Sequence, residues 1–383
     1  MATRPLSVPT WATDETYTAT GEAWDDEPTK VAPAPAKQAE GVEPGERFPA
    51  DHFNWILNKL GGWAAYLAMV PLVNWIIRTH ATSGTPTAAV AVATRPWLGE
   101  LDAFMAIFAA GGGGRAQRST DGVSWTDLSG SLTGTLNDIA WMGGSVNKWL
   151  IAANGGVIYH HASNTGGAWT TAGPGSGDHF NAIAANDDGD LAIAVGENGR
   201  LYSSTNGTAW TSRTSGTAED LRDVAYGGGR WVAVGTGAGV DDCIITSTDG
   251  TTWSSVALGP ATTVTHVVYD AESEKFLVFA GTDVRQIDAA TGTLSASVGT
   301  LTSAPTAVAA DGDGTVIVIS SIYMQVSSDA GVTWTAQTCV TQGTSVLTSF
   351  DGLCWNPTLG CMMAVGEDGA AGAPIVAQSM RTR

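Results

Sequence analysis

The chain has 383 residues, with 18 Lys+Arg against 37 Asp+Glu (formal charge -19), 43% hydrophobic residues, only 14% charged residues and 48 Gly. So much apolar and so little charged content excludes a disordered chain, and glycine without a third-position repeat excludes collagen. The acid surplus leaves little basic surface for nucleic acid, so no nucleic-acid partner is expected. Abundant Gly, Thr, Ser and Val point to many short strands joined by tight turns.

Residues 1–48 are rich in Pro, Ala, Thr and acid, as in WDDEPTK and VAPAPAKQAEGVEPGE, and show neither a period of 2 nor of 3.6. They read as an extended arm that gains order by lying against a partner. The stretch MATRPLSVPTWATDE lacks an apolar h-region, so no secretory signal is expected.

Residues 49–79 change character. Phe53, Ile56, Leu60, Trp63, Leu67 and Val70 alternate steps of three and four, the pattern of a helix packing along a seam. Asp51 suits the N-cap, and Pro71 ends or kinks the helix, with WIIRTH beginning a second short segment. A helix this short is not stable alone. Its stripe is expected to be buried against copies of itself, with a trimer favoured. The apolar run at 61–77 is too short and too interrupted to span a membrane. Deleting 1–79 is expected to leave a folded, soluble, mainly monomeric remainder.

Residues 80–383 form a repeat array. A turn followed by Trp recurs as STDGVSWT, SNTGGAWT, STNGTAWT, STDGTTWS and SDAGVTWT, ending in Trp125, Trp169, Trp210, Trp253 and Trp334. The spacing is about 42 residues, doubled before Trp334, so a degenerate copy is expected at 291–295 with Leu294 in the Trp place. Upstream of each turn stand two apolar runs joined by Gly or Asp, as in DIAWMGGSVNKWLIAANGG and DVAYGGGRWVAVGTGAG. Each unit then has four antiparallel strands, the fourth carrying the Trp, which is a propeller blade. The expected fold is all-β: a seven-bladed β-propeller, six blades being the alternative, preceded by the arm and the short amphipathic helix. The last unit lacks a fourth strand, and a segment around 78–85 is expected to supply it and close the ring.

The turn resembles the Asp-box of sialidase-like propellers, most clearly at Ser119–Trp125 and Ser247–Trp253. Asp121, Asn206, Asp249 and Asp329 then accept backbone N–H groups across the turn, Gly supplies positive φ, and the five Trp act as stability residues. A second resemblance lies in GERFPADHFNWILNKLGGWAAYL. Phe53, Asn54, Trp55, Asn58, Trp63, Tyr66 and Leu67 match a short N-terminal segment of bacteriophage tail-fibre and appendage proteins. That likeness implies a virion component, joined to other virion proteins through residues 1–79. Phe53, Trp55, Ile56, Leu60, Trp63, Leu67 and Val70 would form the anchoring or oligomer seam, and the propeller would face a host-surface glycan or protein.

Catalysis is not expected. The sialidase arginine motif has no counterpart, and Asp187, Asp188, Asp190, Asp241, Asp242, Asp311 and Asp313 fall at hairpin tips where turn chemistry explains them. The Gly-rich stretch at 109–115 lacks the Lys-Ser/Thr of a phosphate loop. Cys243, Cys339, Cys354 and Cys361 have no metal-ligand spacing, so neither metal nor cofactor is expected. Trp141, Tyr226, Tyr269 and Trp355 share one repeated position at the end of a first strand and form the candidate ligand face. The other readings are a phage-borne glycan hydrolase and a cellular propeller that assembles other proteins.

Overall fold

The computed structural model describes residues 74–78, 86–95, 103–110, 113–162, 168–175, 177–236, 244–258, 263–320, 323–338, 340–342, 347–357, 361–368 and 373–380. The arm at 1–48 and, apart from 74–78, the expected helical segment at 49–79 with its seam residues lie outside them. By backbone contacts the described residues belong to one compact unit, Val73–Met380.

Among the described residues, six four-stranded antiparallel sheets follow one another along the chain. Each comes from one contiguous stretch: blade I (86–127), blade II (136–172), blade III (180–212), blade IV (221–255), blade V (266–300) and blade VI (307–338). The second strand of each blade is almost wholly buried, as in Lys148–Ala153 and Arg230–Gly235, so its sequence is a run of apolar residues without alternation. Such runs are what a strand covered on both faces requires.

The remaining sheet is built differently. It has five strands, and the order runs Val340–Gln342, Asn74–Arg78, Ala373–Met380, Cys361–Asp368, Leu347–Asn356. Asn74–Arg78 pairs antiparallel with Ala373–Met380 and parallel with Val340–Gln342. The two ends of the described chain therefore meet in one closing sheet. This corrects two expectations: six sheets, not seven, have the regular four-stranded form, and the closing strand lies at 74–78 rather than 78–85. It also takes 74–78 out of the expected helical segment. The run NWIIR extends because its backbone groups find partners on both sides.

The first strands of the seven sheets touch in cyclic order: Pro86–Thr94, Leu136–Met142, Phe180–Ala185, Leu221–Gly227, His266–Asp270, Ala307–Ala310 and Leu347–Asn356, with the last against the first. They line the axis of a propeller. The core lies between blades. Trp169 packs with Met105, Ile107 and Trp149 between blades I and II. Trp210 joins the cluster between II and III, Trp253 that between III and IV, and Trp334 that between V and VI. Leu294 takes the corresponding place between IV and V and bridges Ile287. Trp125 of blade I packs with Cys361, Met363 and Val365 of the closing sheet.

The Trp differs from expectation in one detail: it stands just before the fourth strand, as Trp125 before Thr126–Asp127 and Trp253 before Ser254–Ser255. The turns ahead of it are saturated with local hydrogen bonds. Ser247 Oγ donates to Asp249 Oδ1 (3.0 Å) and accepts from the Gly250 N–H (2.8 Å), while Asp249 Oδ1 accepts from the N–H groups of Thr251 and Thr252 (2.8 and 2.7 Å). Ser119–Asp121 and Ser204–Asn206 repeat this arrangement. The turn at 327–334 holds one residue more, and the extra residue, Ala330, is forced to φ 55°. Asp329 still reaches Thr333 N–H (2.8 Å), and the Trp334 indole donates to the Gly331 carbonyl (2.9 Å).

Candidate binding mouth of the propeller axis

Two cavities are lined by the first strands. The larger, of about 820 Å³, lies at the hairpin end. Val92–Arg95 of blade I, Ile139–Trp141 and the Gly143–Gly144 turn of blade II, Ile183–Asp187 of blade III, Tyr226 of blade IV and Cys354 of the closing sheet surround it. Its wall is mixed: Val92, Ile139 and Ile183 supply apolar surface, Trp141 and Tyr226 aromatic rings, and Thr94, Arg95, Asn147, Asn186 and Asp187 polar groups. The Arg95 guanidinium, 4% exposed, sits over the Trp141 ring at 4.8 Å from its centroid, a cation–π arrangement that holds the indole in place. Trp149 closes on the same indole at 5.0 Å.

Of the four aromatics expected at a ligand face, the structure brings Trp141 and Tyr226 to this cavity. Tyr269 instead packs against Phe276 (4.9 Å) and over Gly227 and Gly228, and Trp355 is 8% exposed and absent from the lining. A Cβ at Gly227 would fall 2.1 Å from the Tyr269 ring, so only glycine admits it. The Tyr269 ring thus serves packing between sheets, and the Trp355 ring is buried.

The hairpin of blade III, Asn186–Asp190, forms one lip. Asn186 Oδ1 accepts the N–H groups of Asp190 and Leu191, and its amide donates to Asp190 Oδ1 (2.6 Å). Burial and the neighbouring Asp188 push the Asp187 carboxyl up from its ordinary range. Burial, then the charges of Asp187, Asp188 and Asp190, push the Tyr226 phenol up as well. The lip is therefore acidic.

The smaller cavity, of about 250 Å³, runs along the axis and is lined from all seven first strands. It contains three carboxylates not singled out from the sequence, Asp138, Asp223 and Asp351, the last accepting from Ser349 Oγ (3.1 Å). Asp138 accepts the N–H of Ile139 on its own strand (2.7 Å) and of Ile183 on the next blade (2.8 Å). Asp223 does the same with Val224 and Val267 (2.8 Å each). Each is a clasp between neighbouring blades, II to III and IV to V. Both keep some surface toward the axis, but surrounding protein desolvates them: burial pushes Asp138 up to about 7 and Asp223 up to about 6. The signal was present in the repeats as an Asp opening DIAW and DVAY. Amide clasps continue the belt: Asn137 donates to the Phe180 carbonyl and Asn181 to that of Leu221 (2.6 and 2.7 Å).

Among the described residues, no group of three or more His, Cys, Asp or Glu is placed to hold a metal, and no helix is long and apolar enough to cross a membrane. Asp311 Oδ1 accepts the N–H groups of Asp313 and Thr315 (2.9 Å each), as turn chemistry requires. Asp241, Asp242, Cys243 and Cys339 lie outside the described residues.

No protein-family model and no curated relative matches the chain. Among solved structures it is similar to β-propellers. Ycf48 from Cyanidioschyzon merolae superposes with a TM-score of 0.57 at 13% identity, over 79% of this chain and 98% of that one. A Ycf48 bound to D1 peptide gives 0.58 at 14% identity, over 80% and 95%. The WD40 propeller domain of Doa1 gives 0.57 at 11% identity, over 80% and 97%. At these identities the likeness is one of fold, and the fold is a β-propeller; propellers host many functions.

Proposed function

We propose that this chain works by binding rather than by catalysis, with the hairpin-end mouth of its propeller as the docking surface for a partner. The observation that carries this reading is the 820 Å³ cavity, lined from five sheets, with apolar, aromatic and polar groups converging in it and carboxylates at one lip. Large concave cavities with a few convergent polar groups are the usual form of a binding site. Asp190 of the lip is engaged by Asn186, and Asp138 and Asp223 are spent on backbone N–H groups, which supports a non-catalytic role.

For its setting we propose a virion appendage, on the resemblance of residues 45–67 to phage tail-fibre segments. The closing sheet would act as the seventh blade of the ring, with the preceding chain as anchor to other virion proteins and, through its apolar seam, to further copies. The second reading is a cellular propeller that assembles other proteins. The likeness in fold to the Doa1 WD40 domain and to Ycf48 stands on its side.

Mass spectrometry and immunogold labelling of purified particles separate the two settings: the chain is expected at an appendage, and its absence from particles would leave the cellular reading. Binding of the full chain to host cells, weakened by Tyr226→Ala, tests the mouth itself.

A further inference from the structure

The cross-strand register shows what each sheet places where its first strand enters the hairpin. Blades II, IV and V carry stacked ring pairs there: Trp141–Trp149, Tyr226–Trp231 and Tyr269–Phe276. Each first-strand ring leans on the preceding blade. Tyr269 covers the Gly227–Gly228 turn of blade IV, and Trp141 meets Arg95 of blade I. Tyr226 lies near the Asp187–Asp190 turn of blade III, whose charges it feels.

Blades I and VI lack such a ring pair, with Thr94–Phe104 and Ala310–Val316 at the corresponding register, and so does blade III. Its pair is Ala185–Ala192. A ring from position 185 would lean on the Gly143–Gly144 turn of blade II; with alanine there, that space is part of the cavity, bounded by Trp141 on one side and Tyr226 on the other. Further out the two hairpins touch: a Cβ at Gly144 would fall 2.3 Å from the Asp188 carbonyl oxygen. The space is thus walled rather than an open groove. Flat rings pack against rings in tilted or offset geometry, and the molecule itself uses tilts of 59° and 51° at the two flanking pairs.

We propose that the cavity over Ala185 receives an aromatic side chain of a partner polypeptide, in the place that blades II, IV and V fill with rings of their own. The acidic lip at Asp187 and Asp188 selects basic residues beside that ring, by charge complementarity. This assignment rests on the mouth being the binding surface and adds the ligand class.

The test uses the full-length chain, ligand-detected saturation-transfer NMR and three probes: acetyl-Lys-Trp-Lys-amide, acetyl-Lys-Leu-Lys-amide and methyl α-glucoside. The Trp peptide is expected to bind with a Kd on the order of a millimolar, as its size allows, and more tightly than the Leu peptide. Ala185→Trp, which fills the space from within, is expected to weaken it at least about tenfold; Ala185→Ser, which leaves the space, is expected to change nothing. Circular dichroism checks both folds, and Ala185→Leu replaces the Trp variant should that one not fold. Equal binding of the Leu and Trp peptides, or Trp-peptide binding unmoved by filling, overturns the aromatic assignment. Binding of the glucoside, lost on filling, overturns it too but leaves the mouth as a binding site. If no probe binding responds to filling, both the assignment and the mouth as docking surface fall.

Discussion

The outer turns and the axial belt of this propeller are held in opposite ways. At the outer turns, Ser247, Asp249 and the N–H groups they engage lie within a few residues of one another. At the axis, Asp138 reaches Ile183 across 45 residues and Asp223 reaches Val267 across 44. The closing sheet takes this furthest, pairing 74–78 with 373–380. Local bonds shape each blade, while distant ones decide that blades form a ring. The carboxylates show the difference electrically. The exposed Asp249, held by N–H groups of Thr252 and Thr251, lies well below the ordinary carboxylate range. Asp138 and Asp223, desolvated, lie well above it.

Removing the most distant link should have the largest effect. A chain starting at residue 80 lacks Asn74–Arg78, leaving Ala373–Met380 with an unpaired edge. It is expected to aggregate or to lose cooperative unfolding, whereas one starting at 73 should melt as a single transition, read by circular dichroism and size-exclusion chromatography. The earlier expectation that deleting 1–79 spares the fold is thereby replaced by a boundary at 73. If both truncations melt alike, the closing strand does not hold the ring.

Breaking one axial clasp comes next. Asp138→Ala leaves the N–H groups of Ile139 and Ile183 without their acceptor, at a cost of about 1–3 kcal/mol in urea unfolding.

A pH series sharpens the contrast. With folded pKa values of about 7 and 6, against about 3.9 unfolded, Asp138 and Asp223 bind protons more readily in the folded chain. Stability from these two is therefore gained as pH falls from 8 through 7 and 6, and is complete near pH 4. Carboxyls held low, such as Asp249 and Asp121, act the other way: their contribution is present above about pH 4 and is lost as pH falls below it. His266 lines the same cavity as the two clasps; burial pushes it down to about 4, so it works against them below about pH 6.5. Tm is therefore expected to rise by a few degrees from pH 8 to about pH 6.5 and to level and then fall at lower pH, with the rise flattened in Asp138→Asn. A flat profile in the unaltered chain would contradict the desolvated clasps.

The smallest effect belongs to the outer turn. Asp249→Ala frees N–H groups that water can reach, so a loss of only about 1–3 °C in Tm is expected.

The repeat of about 42 residues, the Trp-bearing turns and the apolar second strands were legible in the sequence because each depends on neighbours in the chain. Even the degenerate copy could be placed, since Leu294 occupies the indole's position in the core. The candidate ligand face was half legible: Trp141 and Tyr226 line the cavity, whereas Tyr269 and Trp355 pack. Identical residue types at one repeated position cannot reveal which has a small neighbour, and here Ala185 makes the difference.

What the amino-acid order determined alone was the blade: strand, turn and indole in a recurring unit, written by local hydrogen bonds and by burial on both faces. What only the tertiary structure decided was which segment closes the ring, which carboxylates clasp one blade to the next, and where the mouth opens. Those depend on contacts between residues tens to hundreds of positions apart, and no period or motif encodes the partner of a backbone group that lies on another sheet.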